Sequence, residues 1–303
     1  MVYIRVEALS LEPPYELIWE KLASGGVIPF LGAGASLSCR PKDVQWKSPK
    51  DNFLPSGWEL AKYLDDRSGY PSDNQLDLLR VAQYYDGVAG RGGLDDELHS
   101  IFSRAYAHGE LHQFLAELKS PLIVTTNYDT LIEQAFAEKG RACNIVVYKM
   151  SAPLVSVKRA GAAEWENVDP QRLALDLSSA PTIFKMHGSS IPGSPEEDSY
   201  VITEDDYVEF LTRMSGQTAL PAVFGEPFRR SHFLFLGYGL RDWNLRVILH
   251  KIWKDWPRKY ASWAIQERAD PLEREFWKGR KLTIFEMTIA DFLVKVRKVA
   301  ARV

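Results

Sequence analysis

A chain of 303 residues, 46% apolar and 25% charged, has the length and composition of a large α/β domain with a sizeable buried core, which excludes a disordered polypeptide. Its formal charge of −3 implies no broad basic surface, so duplex nucleic acid is disfavoured as the main ligand. Two cysteines, Cys39 and Cys143, can build neither a disulfide framework nor a four-cysteine zinc site.

Strands alternate with helices and no segment repeats, the pattern of a mainly parallel sheet covered on both faces. Tyr15–Ala23 reads as a helix ended by Gly25 and Gly26, and the apolar run Val27–Leu31 as a buried strand. Gly32-Ala33-Gly34-Ala35-Ser36 turns the chain. Leu37–Pro55 carries Arg40, Lys42, Lys47, Lys50 and three prolines and reads as irregular. From about 56 to 119 the spacing is helical: Ser56 caps a first helix, Leu94, Leu98, Ile101 and Phe102 follow, then Leu111, Phe114, Leu115 and Leu118. This helical insert separates the first strand from the second, Pro121–Thr125.

Thr126-Asn127-Tyr128-Asp129 turns that strand into a helix carrying Leu131, Ile132, Ala135 and Phe136. Asn144–Tyr148 is a third strand, and about 150–180 is a helical or hairpin excursion. Thr182–Lys185 is strand-like and leads into His187-Gly188. Thr203 opens a helix with Glu204, Asp205 and Asp206 at its positive end. Phe233–Leu236 is a strand followed by Gly237-Tyr238-Gly239. A helix (Asp242–Lys254), a strand (Ala261–Ile265), a helix (Leu272–Lys278), a strand (Leu282–Phe285) and a terminal helix complete the pattern. The expectation is a single Rossmann-like α/β domain over 1–303. No apolar stretch is long enough to cross a membrane, and Met1–Glu7 lacks the basic-then-apolar pattern of a secretory leader, so a cytoplasmic protein is expected.

In an open parallel sheet, ligands bind beyond the carboxyl ends of the strands. Gly32–Ser36, Thr125–Asp129 and Gly237–Asp242 fall there, and His187 joins them if its strand shares the sheet. Gly32 and Gly34 allow close approach of a phosphate, but the third glycine of a dinucleotide fingerprint would fall at Leu37, so a tight turn is an equal reading. Asp129 can cap its helix, Asn127 can make a local turn bond, and a lone histidine is commonly structural. No histidine spacing suits a metal, and neither a Gly-x-Ser-x-Gly elbow nor a lysine-bearing phosphate loop is present.

As an ordered set, these segments resemble the sirtuins. Gly32-Ala33-Gly34-Ala35-Ser36 is similar to their G-A-G-x-S motif, and Thr125-Thr126-Asn127-Tyr128-Asp129 to T-Q-N-x-D, with Thr126 at the Gln position. Lys185-Met186-His187-Gly188 resembles the catalytic H-G. Leu236-Gly237-Tyr238-Gly239-Leu240-Arg241-Asp242-Trp243-Asn244 and Tyr200–Tyr207 resemble segments of bacterial sirtuin-like proteins from phage-defence systems. The order holds over roughly residues 20 to 300. Deacylating sirtuins carry a four-cysteine zinc module after the H-G motif, and this chain has no cysteine after Cys143.

The resemblance implies NAD+ as substrate, no metal, and hydrolysis of the nicotinamide–ribose bond. It implies Asn127 and His187 as catalytic residues, Asn127 orienting the ribose hydroxyls and the attacking water, and His187 either a general base of ordinary imidazole pKa, ~6.5, or a ribose orienter. The Ala33, Gly34 and Ser36 N–H groups and the Ser36 hydroxyl would hold the diphosphate beside Gly32, with Arg40 contacting phosphate. Asp129 would bind the carboxamide, Thr126 would border the ligand, Gly237 would let the backbone approach the adenosine ribose, and Asp242 would bind a hydroxyl there or cap its helix. Control in trans is implied too, through homo-oligomerisation or a partner such as a HerA-type ATPase. The competing expectations are a binding-only NAD+ or ADP-ribose sensor and a zinc-free deacylase.

Overall fold

Strand alternation builds two apolar layers on one sheet. The structure, a computed structural model, describes residues 12–41, 43–71, 76–216, 219–240 and 243–302. After α1 (Tyr15–Ala23), β1 (Val27–Leu31) leads into the short α2 (Ala33–Leu37). Three helices follow, α3 (Gly57–Ser68), α4 (Leu78–Phe102) and α5 (Glu110–Glu117), then β2 (Leu122–Thr125), α6 (Leu131–Glu138) and β3 (Asn144–Tyr148). The excursion expected over 150–180 is a hairpin, β4 (Val155–Lys158) with β5 (Trp165–Val168), before β6 (Thr182–Lys185) re-enters the sheet. A two-residue pair follows, β7 (Gly188–Ser189) with β8 (Ser199–Tyr200). The remaining elements are α7 (Glu204–Ser215), α8 (Gly225–Arg230), β9 (His232–Leu236), α9 (Trp243–Asp255), β10 (Ser262–Gln266), α10 (Pro271–Lys278), β11 (Leu282–Glu286) and α11 (Ile289–Ala300).

The nine-stranded sheet has the order β11-β10-β9-β1-β2-β6-β3-β4-β5. Its pairs are parallel except where β4 joins β3 and β5, so this is a Rossmann-like α/β sheet with an antiparallel edge. Ile28, Phe30, Val124, Phe184 and Phe235 point into one layer. Val27, Leu31, Ile123, Ile183 and Leu236 point into the other. All five residues of β1 are buried, because parallel neighbours and helices cover it on every side.

The insert divides in two. α3 and α4 enclose their own core with Leu60, Leu64, Val81, Leu94 and Leu98, whereas α5 places Leu111, Phe114 and Leu115 in the main core beside α6. α3 begins with a Ser56–Glu59 capping box and ends on left-handed Gly69. α4 is broken at Gly90, whose φ of 77° and ψ of 160° leave the helical region. Arg91, just past the break, pairs with Asp206 of α7 at 2.6 Å and ties the insert to the sheet domain. Among the described residues no helix is long and apolar enough to cross a membrane.

β1 lies between β9 and β2, so the sheet order changes direction there and the carboxyl ends of all three strands open on one crevice. Two glycines make the crevice possible. A Cβ on Gly237, whose φ is +73°, would lie 2.1 Å from the Ala35 nitrogen, and one on Gly188, at φ +88°, would lie 1.9 Å from the Ser199 carbonyl oxygen. Gly140 has a similar φ, +64°, with nothing within 4 Å. Gly140→Ala should therefore cost only the left-handed strain of about 1–2 kcal/mol. Gly237→Ala adds a backbone clash and should cost about 3 kcal/mol or more. Urea unfolding of the two variants checks the difference.

Candidate active site

The turn after β1 and the turn after β2 are joined by a chain of side-chain hydrogen bonds. Asn127 Nδ2 donates to the Gly32 carbonyl at 3.0 Å and to Ser36 Oγ at 2.9 Å. Ser36 Oγ donates to Asp129 Oδ2 at 2.7 Å, and Asp129 Oδ1 accepts from the Leu131 N–H at 3.1 Å. The Gly32 carbonyl can only accept, so the amide orientation of Asn127 is fixed by chemistry. Its Oδ1 has no hydrogen bond among the described residues, and Asn127 lines a cavity of about 290 Å³. Asn127, Ser36, Asp129, Ala33, Thr126, Gly237 and His187 all line that cavity.

His187 enters from β6 and the β7 turn. Its Nδ1 lies 3.3 Å from the Tyr207 hydroxyl, its ring packs edge-on against Tyr207 and Phe210, and its Nε2 is buried without a partner among the described residues. Burial pushes its pKa down to about 3. This corrects the expectation of an ordinary imidazole: the ring is neutral at pH 7, carrying one N–H and one lone pair.

Other expected roles change as well. The Gly34 N–H, expected to face a phosphate, donates to the Gly237 carbonyl at 2.9 Å, and the Gly32 N–H donates to the Leu236 carbonyl at 3.0 Å. These glycines serve the close approach of two loops. Arg40 is held by Glu59, with its two terminal nitrogens 2.6 and 2.7 Å from the carboxylate oxygens. Burial alone would raise the Glu59 carboxyl, but bonds from Arg40, the Ser56 and Trp46 N–H groups and the Ser56 hydroxyl hold it at about 2. Arg40 lines a second cavity of about 650 Å³ with Gly34, Gly239 and Gln266, beyond the Gly237–Gly239 loop. Asp242 lies outside the described residues.

Several site residues carried no assigned role in the sequence. Tyr238 shares a 2.6 Å hydrogen bond with Thr126, linking the β9 and β2 turns. Leu54 of the irregular segment, with Leu60, Leu79 and Phe102 of the insert, gives the same cavity its apolar wall. Lys185 is fully buried, bonds the Asp129 carbonyl and pairs with Glu133 at 3.1 Å, so a cation fixes the backbone under the site. The visible signal was a lysine ending an otherwise apolar strand. Cys39 Sγ and His112 Nδ1 lie 3.5 Å apart, but burial raises the thiol to about 11 and lowers the imidazole to about 4, so the pair is neutral. Among the described residues no group of three or more His, Cys, Asp or Glu could hold a metal ion.

A SIR2-like domain family model matches residues 121–285, more than half of the chain. The chain belongs to the SIR2-like family. It is 27% identical over 271 residues to a protein named NAD(+) hydrolase ThsA from Bacillus cereus (strain MSX-D12), covering 87% of this chain and 49% of that protein. A protein of the same name from Acinetobacter baumannii (strain 532279) is 29% identical over 222 residues, 73% of this chain and 38% of the relative. Defense-associated sirtuin 2 from Bacillus subtilis is 26% identical over 284 residues, 89% of this chain and 24% of the relative. The chain thus spans about half or less of the length of these relatives.

Two histidines buried in the neutral form make the fold acid-sensitive. The unfolded chain binds protons below about pH 6.5, whereas folded His112 and His187 resist protonation until about 4 and about 3. Their contribution is complete above pH 6.5 and falls on acidification by up to about 1.4 kcal/mol per pH unit for each histidine. Urea midpoints should drop between pH 7 and pH 5, and His187→Asn should lose part of that drop.

Proposed function

We propose that this chain hydrolyses NAD+ at the nicotinamide–ribose bond, giving nicotinamide and ADP-ribose. The observation that carries this reading is the convergence of Asn127, Ser36, Asp129 and His187, whose Nε2 has no partner among the described residues, on one cavity at the β1–β2–β9 crevice. Relatives that align over most of the chain bear the name NAD(+) hydrolase, which supports it.

The smaller cavity would take the nicotinamide ribose and the larger one the adenosine end, with the Gly237–Gly239 loop between them. A water oxygen bonds to the anomeric carbon while the carbon–nitrogen pair returns to the pyridinium, which leaves neutral; the water's extra proton passes to solvent. Positive charge peaks on the ribose, where the Asp129 carboxylate and the Asn127 Oδ1 dipole favour it. Each Asp129 oxygen keeps a lone pair for the carboxamide beyond its bonds to Ser36 and Leu131. Neutral His187 would orient the water or a ribose hydroxyl through Nε2. The insert's apolar wall would keep bulk water away. Control in trans, by self-assembly or a partner such as a HerA-type ATPase, belongs to the same proposal.

Incubation with NAD+ and chromatography of the products tests it. Nicotinamide and ADP-ribose should appear in equal amounts, and Asn127→Ala and His187→Ala should each slow their release about 10²–10⁴-fold. Because His187 is neutral throughout, the rate should show no inflection near pH 6.5 from this group. Tight NAD+ binding without nicotinamide release would return the sensor reading, and turnover of an acyl-lysine peptide the deacylase reading.

A further inference from the structure

The chain's charge is unevenly distributed. Between Trp243 and Lys281 lysines and arginines outnumber acids ten to five, while the chain as a whole carries −3. This basic segment builds α9 and α10, and a groove of about 620 Å³ runs between them. Trp253, Phe276 and Trp277 form its floor, and His250, Lys254 and Arg280 border it with no carboxylate partner among the described residues. Arg280 stacks on Phe276 at 3.7 Å and Arg246 at 4.5 Å, which leaves guanidinium edges for an anion. Arg246 is already 3.9 Å from Glu273, so Lys254 and Arg280 supply most of the free positive charge. Trp253 Nε1 is buried in the wall and unpartnered among the described residues.

The two most exposed large apolar side chains described lie at this groove's helices. Trp243 is 70% exposed and opens α9, and Leu272, 82% exposed, precedes Phe276 by one helical turn on α10. Exposed tryptophan and stacked arginine are the residue types that anchor protein interfaces, and an apolar floor rimmed by unpaired cations complements an acidic amphipathic segment. We propose that the α9–α10 groove docks an acidic helical segment of a partner protein, an apolar side chain filling the cavity and flanking carboxylates meeting Lys254 and Arg280. The site reaches the crevice through one atom: Arg246 Nε and Trp277 Nε1 both donate to the Leu240 carbonyl at 3.2 Å, next to the Gly237–Gly239 loop. The docking itself does not rest on the NAD+ reading.

The probe is a short fluorescein-labelled helical peptide with leucines at i, i+4 and i+7 and glutamates elsewhere, titrated with the full chain and followed by anisotropy. Binding should weaken with salt, and Kd should rise about tenfold or more in Arg280→Glu and in Trp243→Ala. Both substitutions sit on exposed side chains, so an unchanged urea midpoint shows that the fold is intact. Failure to bind, equal binding by the variants, or equal binding of a lysine-for-glutamate peptide overturns the proposal. Tighter binding of single-stranded DNA at the same groove, or dissociation of a self-assembled species by Trp243→Ala, assigns the face to another occupant and overturns it too.

Discussion

The Ser36 hydroxyl is the joint on which the crevice depends. It accepts from Asn127 and donates to Asp129, so one small group fixes an amide and a carboxylate that come from the far side of a helical insert. Within a largely water-excluded site such a chain is strong when complete and costly when broken. Every member has a defined partner and direction except the Asn127 oxygen, which has no hydrogen bond among the described residues. Lys185, paired with Glu133 beneath the same turn, fixes the Asp129 backbone from the opposite side. Burying an ion pair does little for net stability, so its value here is geometric.

The insert adds an apolar wall to what would otherwise be a bare sheet edge. The α3–α4 core holds itself together, and charged clasps join it to the rest: Arg40 with Glu59 at the irregular segment, and Arg91 with Asp206. Asp198 adds a third, accepting from the Tyr200 hydroxyl at 2.5 Å and lying 2.7 Å from His99 Nδ1. These clasps press an apolar wall against the polar turns without adding a titratable group to the cavity.

Much of the fold was legible because its signals are local. Buried parallel strands such as Val27–Leu31 and Leu122–Thr125 are short unbroken apolar runs, and Ser56 and Thr203 announce their helices through capping boxes. The hairpin near 155–168 was ambiguous because Trp165–Val168 is an edge strand with half-exposed and exposed residues, so periodicity fades there. The break at Gly90 and the return of α5 to the main core depend on tertiary packing. At the site, the motifs located the turns but not the states of the residues. The neutral form of His187 follows from Tyr207 and Phe210, and the commitment of Arg40 from Glu59, all remote in sequence or set by burial.

The pairing of β1 with β9 joins Val27 to His232 and Leu31 to Leu236, segments roughly 200 residues apart. During synthesis the N-terminal strand must wait for most of the described chain before its second edge is covered, and contacts of such long range form late. The Gly34–Gly237 contact waits with it. A ribosome-bound fragment that stops short of β9 therefore has only half of this crevice, because the β9 turn that carries Gly237 has yet to be made.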